Sequence, residues 1–141
     1  MGSINNPNQV ALITCRYGDK DNIIAMTWHT QISFQPHLFL IAVSKERFSH
    51  DLIKKSKCFC ANFMPYSLTK EIIYCGTKSG RDINKFNKTG LEKGECETIN
   101  CCKIKEALAF LECKIIKKVE AGDHTLFIGK VLKAKLRKDG K

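Results

Sequence analysis

The apolar runs of this chain are short, and nearly every one ends in turn-forming residues, which restricts the fold to many brief strands with few helices. Val10 to Arg16 reads as a first strand, ended by Tyr17-Gly18-Asp19-Lys20-Asp21-Asn22. Asn22 to Trp28 is a second strand. Ile32 to Phe34 leads to Pro36 and a strongly apolar third strand, Leu38 to Val43. Cys58 to Phe63 is a fourth, closed by Asn62 and Pro65. Leu108 to Lys118 and Thr125 to Leu136 are two long β-runs around a hairpin of Val119-Glu120-Ala121-Gly122-Asp123-His124. The period turns helical in two places. One helix starts near Ser49, with Leu52, Ile53 and Ser56 on one side and Lys54, Lys55 and Lys57 late, where cations suit the dipole. Ser67 caps the other, which runs through Ile72, Ile73 and Tyr74 and stops at Gly76. Thr77 to Gly94 is predicted as an ordered loop with one helical turn around Asp82 to Phe86. About six antiparallel strands and two or three helices make a mainly β barrel, not a doubly wound parallel sheet, and its rim can receive a ligand.

With 141 residues and 43% hydrophobic content the chain is expected to form a single domain over 1–141, with a flexible N-terminus at 1–9. No apolar run approaches the ~18 residues of a membrane-spanning helix. Met1 to Gln9 lacks the apolar centre of a secretory signal, and Asn6 stands where a myristoylation start wants Ser or Thr, so a cytoplasmic location is expected. A formal charge of +10 favours an anionic partner, either nucleic acid or a small phosphorylated ligand. Lys130, Lys133, Lys135, Arg137, Lys138 and Lys141 crowd the C-terminus, and 137–141 reads as a solvated basic tail. No aromatic interleaves these charges to stack a base, which argues against nucleic acid. The eight cysteines show no CxxC and no zinc spacing, so no metal site is expected. They read as small buried hydrophobes, with Cys58 and Cys60 on one strand face. A thiol-redox role for Cys101-Cys102 or Cys75 is the alternative.

Three polar clusters fall at strand ends. Thr27-Trp28-His29-Thr30 offers hydroxyls and amides beside an aromatic, suited to a planar phosphorylated ligand or simply to an edge strand. Ser44-Lys45-Glu46-Arg47-Phe48-Ser49-His50 follows the most apolar strand and opens a helix. Free N–H groups and the cations Lys45 and Arg47 could hold an anion there, or Ser49 could be only an N-cap; His50 reads as helix surface. The third is Ser79-Gly80-Arg81-Asp82-Ile83-Asn84-Lys85-Phe86, joined by Gly122-Asp123-His124, where a histidine beside a carboxylate suits proton delivery or is only a turn residue. Neither GxGxxG nor a P-loop is present.

In this order, the clusters resemble the flavin reductase-like family with the FMN-binding split barrel, nearest its flavoredoxin-like branch. The matching stretches are Asp21 to Thr30, Ser33-Phe34-Gln35-Pro36-His37-Leu38, Ser44 to Ser49, Asn62, Ser79 to Phe86, and Gly122 to Gly129. The resemblance implies an antiparallel Greek-key split barrel and a homodimer with FMN near its interface. It implies that Thr27, Trp28, His29 and Thr30 line the flavin, and that Ser44, Lys45, Arg47 and Ser49 bind its phosphate or pyrimidine edge. Asn62 would flank the cofactor, Arg81, Lys85 and Phe86 would close the pocket, and Asp123 and His124 would lie by the nicotinamide or electron acceptor. Members continue past the strand ending at Leu136, and His37 stands where they carry a second proline. The implied function is electron transfer through FMN from NADH, NADPH or a reduced partner protein. The alternatives are a non-catalytic flavin carrier, a relative using deazaflavin or pyridoxal phosphate, and a basic nucleic-acid-binding barrel.

Overall fold

The computed structural model describes residues 9–81 and 83–136. The basic tail at 137–141, the terminal residues 1–8 and Asp82 lie outside the described residues. Nine strands are present among those described: β1 (Ala11–Tyr17), β2 (Lys20–Met26), β3 (His29–Ser33), β4 (Leu38–Ser44), β5 (Cys58–Phe63), β6 (Lys93–Glu95), β7 (Cys102–Ile104), β8 (Ala109–Ala121) and β9 (His124–Leu136). Three helices accompany them: α1 (Phe48–Ser56), α2 (Thr69–Thr77) and α3 (Lys85–Thr89), with a 3-10 turn at Tyr66–Leu68.

Seven strands form one antiparallel sheet in the order β2-β1-β5-β8-β9-β4-β3. Its two outermost strands, β2 and β3, are consecutive in the chain and joined by Thr27 and Trp28 alone. Three Cα–Cα steps reach at most about 11 Å, so the sheet must roll until its edges meet there, and a barrel results. The Trp28 carbonyl accepts from the Ala42 amide at 3.0 Å, which carries the β3–β4 pairing one residue into the connection. Two tight hairpins use the same chemistry: Gly18-Asp19 joins β1 to β2 and Gly122-Asp123 joins β8 to β9, each glycine at φ 63°.

β1 is buried on both faces. Ala11, Ile13 and Cys15 point into the barrel with Ile41, Val43, Phe59 and Phe127, and Leu52 and Ile53 of α1 complete that core. Leu12 faces a second core, built with Ile23, Cys75, Phe86, Leu91 and Ile104 under α2, α3 and the β6–β7 hairpin. Arg16 pins that hairpin, pairing with Asp21 (2.6 Å) and Glu95 (2.6 Å).

Several expectations need correction. The second strand ends at Met26, because Thr27 and Trp28 are needed to cross the seam. Gly76 does not stop α2, which continues to Thr77, and Ser67 sits in the 3-10 turn. The helical turn expected at Asp82 to Phe86 is shifted to Lys85–Thr89, where the Asn84 side chain caps it by accepting from the Asn87 amide at 3.1 Å. The hairpin loop expected over six residues shrinks to two. β6 and β7 are three residues long and were missed for that reason.

Candidate functional site

A groove opens beside the barrel seam in two connected parts. The first, about 200 Å³, is lined by Ile24, Met26, Thr27, Trp28, Ala42, Val43, Ser44, Arg47 and His124. The second, about 210 Å³, is lined by Asn22, Ile24, Glu46, Arg47, Phe48, Ser49, Gly76, Thr77, Lys78, Ser79, Gly80 and Lys85. Ile24 and Arg47 belong to both. Together they reach the lower part of the roughly 300–1,000 Å³ typical of small-molecule sites.

The first part has an apolar floor and an aromatic wall. Trp28 is 49% exposed and its ring lies 4.7 Å from that of His124. His124 Nδ1 is 2.7 Å from Asp123 Oδ1. A carboxylate only accepts, so Nδ1 carries the proton and Nε2 is the acceptor of the neutral ring. The same contact holds the fully exposed Asp123 carboxyl below its usual range.

The second part is built for an anion. Arg47 is the N-cap residue of α1, in extended conformation, and its side chain makes no cap bond. Its guanidinium has no ion-pair or hydrogen-bond partner among the described residues. The N-terminus of a nine-residue helix adds unpaired N–H groups and a partial positive charge. Lys78 and Ser79 line the same wall. Ser49 is not an N-cap: it is buried, and its Oγ accepts from Asn22 Nδ2 at 2.9 Å, which fixes the floor. Gly80 rests on that Asn22 amide so closely that a Cβ would overlap it. Thr77 and Lys78 were not singled out from the sequence, because a short polar loop carries no pattern, and Asn22 entered only as part of the Asp21 to Thr30 stretch, with no role of its own.

The remaining expected site residues are placed differently. Lys45 is tied to the β8–β9 hairpin, its Nζ 2.9 Å from Glu120 Oε1 and 3.1 Å from the Gly122 carbonyl. Lys85 is buried at the groove's base, donating to the Ile23 (2.6 Å) and Cys75 (2.8 Å) carbonyls, and burial pulls it down to about 8. Phe86 belongs to the second core. Asn62 is fully buried away from the groove. Its amide donates to the Leu12 carbonyl (2.9 Å) and Thr14 Oγ1 (3.0 Å), and accepts from the Ile104 amide (3.0 Å). Arg81 stacks on Phe48 at 5.4 Å, outside the groove lining. His29 turns from the groove to the Phe39 and Phe63 rings, 5.5 and 5.7 Å away, and Thr30 is exposed on β3. His50 is not surface: it is buried, with Nε2 2.8 Å from Thr125 Oγ1. A larger cavity of about 540 Å³ near Val10, Met64, Tyr66, Ile72 and Ile73 has no cation among the described residues of its lining, which is mainly apolar.

The rolled antiparallel sheet, with a cationic groove at its seam, defines the FMN-binding split barrel of the flavin reductase type. The chain belongs to the flavin reductase-like family, whose domain model matches residues 1–141. An uncharacterized protein of Archaeoglobus fulgidus is 38% identical over 114 residues, covering 81% of this chain and 64% of the relative. The chain therefore spans less than two thirds of that relative's length. Among solved structures, an FMN-binding protein from Thermus thermophilus with bound p-hydroxybenzaldehyde superposes with a TM-score of 0.89 at 26% identity, covering 96% of this chain and 75% of that one. The flavoredoxin of Methanosarcina acetivorans gives 0.86 at 25% identity, covering 100% and 80%. No helix among the described residues is long and apolar enough to cross a membrane.

Proposed function

We propose that this protein binds FMN in the seam groove and relays electrons through it, from NADH, NADPH or a reduced partner protein to an acceptor. The observation that carries the reading is Arg47: a cation without a carboxylate partner among the described residues, at a helix N-terminus, where an anion site meets an aromatic-walled apolar one. A ligand with a phosphate on a chain and a flat ring fits that pairing. Bound FMN supplies hydride acceptance and one- or two-electron release.

The chain's own residues then have separable tasks. Arg47, Lys78, Ser79 and the α1 amides would hold the phosphate. Ile24, Met26 and Val43 would exclude water from the ring, and Trp28 would offer it an aromatic face. Ser44 and the backbone around Thr27 would supply donors to its polar edge, where reduced flavin gathers negative charge. His124, oriented by Asp123, would present Nε2 at the open side, facing donor or acceptor. The half-exposed Trp28 leaves that side open to a second copy of the chain, in keeping with a homodimer.

Fluorescence titration with FMN tests the reading. Arg47→Ala is expected to weaken binding by about tenfold to a hundredfold, the 1.5–3 kcal/mol of a charge-assisted hydrogen bond. Lys130→Ala, on exposed β9 surface, is expected to leave it unchanged. Equal affinity in the two variants would remove the phosphate site. Bound flavin that neither nicotinamide reduces would instead favour a partner-protein donor or a carrier.

A further inference from the structure

Cysteines gather on the far side of β1 from the seam. Cys58, Cys60 and Cys101 form a buried cluster with Phe110, and Cys96 packs against it from the β6–β7 hairpin. Glu95 pairs with Cys102 in that hairpin, so Cys96 and Cys101 are the next cross-strand pair, and the Cys96 amide donates to the Cys101 carbonyl at 2.9 Å. Hydrogen-bonded antiparallel partners have Cα atoms about 5.5 Å apart, within the roughly 4.4–6.8 Å that a disulfide spans. Both thiols face the same cluster. The loop between them is anchored, since the Glu97 and Thr98 amides and the Thr98 hydroxyl all donate to the buried Glu112 carboxylate.

The two sulfurs differ in access and in charge. Cys96 is the most accessible of the cysteines, ahead of Cys58 at 7% exposure, whereas Cys101 has no exposed surface. The Cys101 and Cys60 thiols lie against the Cys96 sulfur, where they can stabilise its thiolate, and with Lys103 nearby they outweigh burial and the Glu112 charge and bring Cys96 down to about 5. Burial pushes Cys15 up to about 12 and Cys75 to about 11, and Cys60 and Cys101 are also raised. Cys58 is lowered through Cys101 but is itself buried.

We propose that Cys96 is a hydroperoxide-reactive thiol and that Cys101 resolves it, closing a reversible disulfide across the β6–β7 hairpin. The Cys96 thiolate attacks one peroxide oxygen, the O–O bond breaks, and the departing hydroxide takes a proton to become water, leaving a sulfenic acid on Cys96. The Cys101 sulfur then attacks Cys96 Sγ; the sulfenic hydroxyl leaves and takes the Cys101 proton as a second water. Two electrons pass from the two sulfurs to the peroxide. A dithiol reverses the reaction by exchange.

Two measurements on the full chain test this. At pH 6 the thiolate fraction of Cys96 exceeds that of an ordinary cysteine by about 300-fold, while its lower intrinsic nucleophilicity takes back up to about 60-fold. Brief iodoacetamide treatment read by peptide mass spectrometry is therefore expected to label Cys96 about fivefold or more faster than any other cysteine. Stoichiometric hydrogen peroxide is then expected to give a Cys96–Cys101 disulfide that dithiothreitol removes. Cys101→Ser should trap Cys96 as a dimedone-reactive sulfenic acid, with the serine hydroxyl still able to reach the Thr14 carbonyl that Cys101 Sγ contacts at 3.4 Å. Cys75→Ser, in the second core away from this cluster, should leave the disulfide intact. Uniform labelling, a disulfide to Cys60 instead, or peroxide-treated protein with Cys96 unmodified would overturn the proposal.

Discussion

Asn62 separates a structural reading from a ligand reading cleanly. Within a fully buried setting its side chain ties β1, β5 and β7 together through Leu12, Thr14 and Ile104. Asn62→Ala removes two donated bonds of about 1 kcal/mol each and strands the buried Ile104 N–H, itself about 1–3 kcal/mol. Partial relaxation around the small cavity keeps the net loss near 3 kcal/mol. With an unfolding entropy of about 2.1 cal/mol/K per residue, 141 residues lose about 3 °C of Tm per kcal/mol. The expected shift is thus a fall of about 9 °C, read by circular dichroism, with FMN affinity of the folded protein unchanged. An unchanged Tm with lost flavin affinity would refute the reasoning and return Asn62 to the cofactor.

Three further outcomes follow from the same structure. Gly80→Ala drives a Cβ into the Asn22 amide and should cost about 1–3 kcal/mol of stability while weakening FMN binding, both measured on one purified variant. Trp28→Ala should weaken FMN binding by about fivefold, from the roughly 1 kcal/mol of an aromatic contact, and leave Tm within about 3 °C of wild type. Burial lowers His50 below its ordinary 6.5 against the raising charges of Asp51 and Glu120. The unfolded chain therefore binds the proton first, and stability falls as pH drops below 6.5. His50→Gln should shrink the Tm loss between pH 7 and pH 5, and an identical loss in both proteins would contradict the assignment.

The strands were legible because their apolar runs and turn residues are local signals: β4 and β5 lie where Leu38 to Val43 and Cys58 to Phe63 place them. Three-residue strands such as β6 and β7 carry no period, and their pairing depends on tertiary contact with β1 and β5. In the site, Trp28, Ser44, Arg47, Ser49 and His124 do come together, since the seam brings the end of β2, the start of α1 and the β8–β9 turn to one place. Lys45, Asn62 and Phe86 lie in the same stretches but point elsewhere. Residue type cannot distinguish a lysine that binds an anion from one paired with Glu120, nor a ligand asparagine from one knitting three strands. The buried histidine was invisible for a related reason: its partner Thr125 is 75 residues away. Cys96 escaped notice because its chemistry comes from sulfurs contributed by β5 and by the far side of its own hairpin.

The central claim is that the seam groove holds FMN in a redox-competent pose, and a visible absorption spectrum of the purified protein with one equivalent of FMN, recorded anaerobically before and after NADH or NADPH, tests it most directly. The expected result is a perturbed oxidised-flavin band that travels with the protein through gel filtration, is lost in Arg47→Ala, and bleaches on addition of a competent donor. A protein that elutes colourless and leaves the absorption and fluorescence of added FMN unchanged would contradict it.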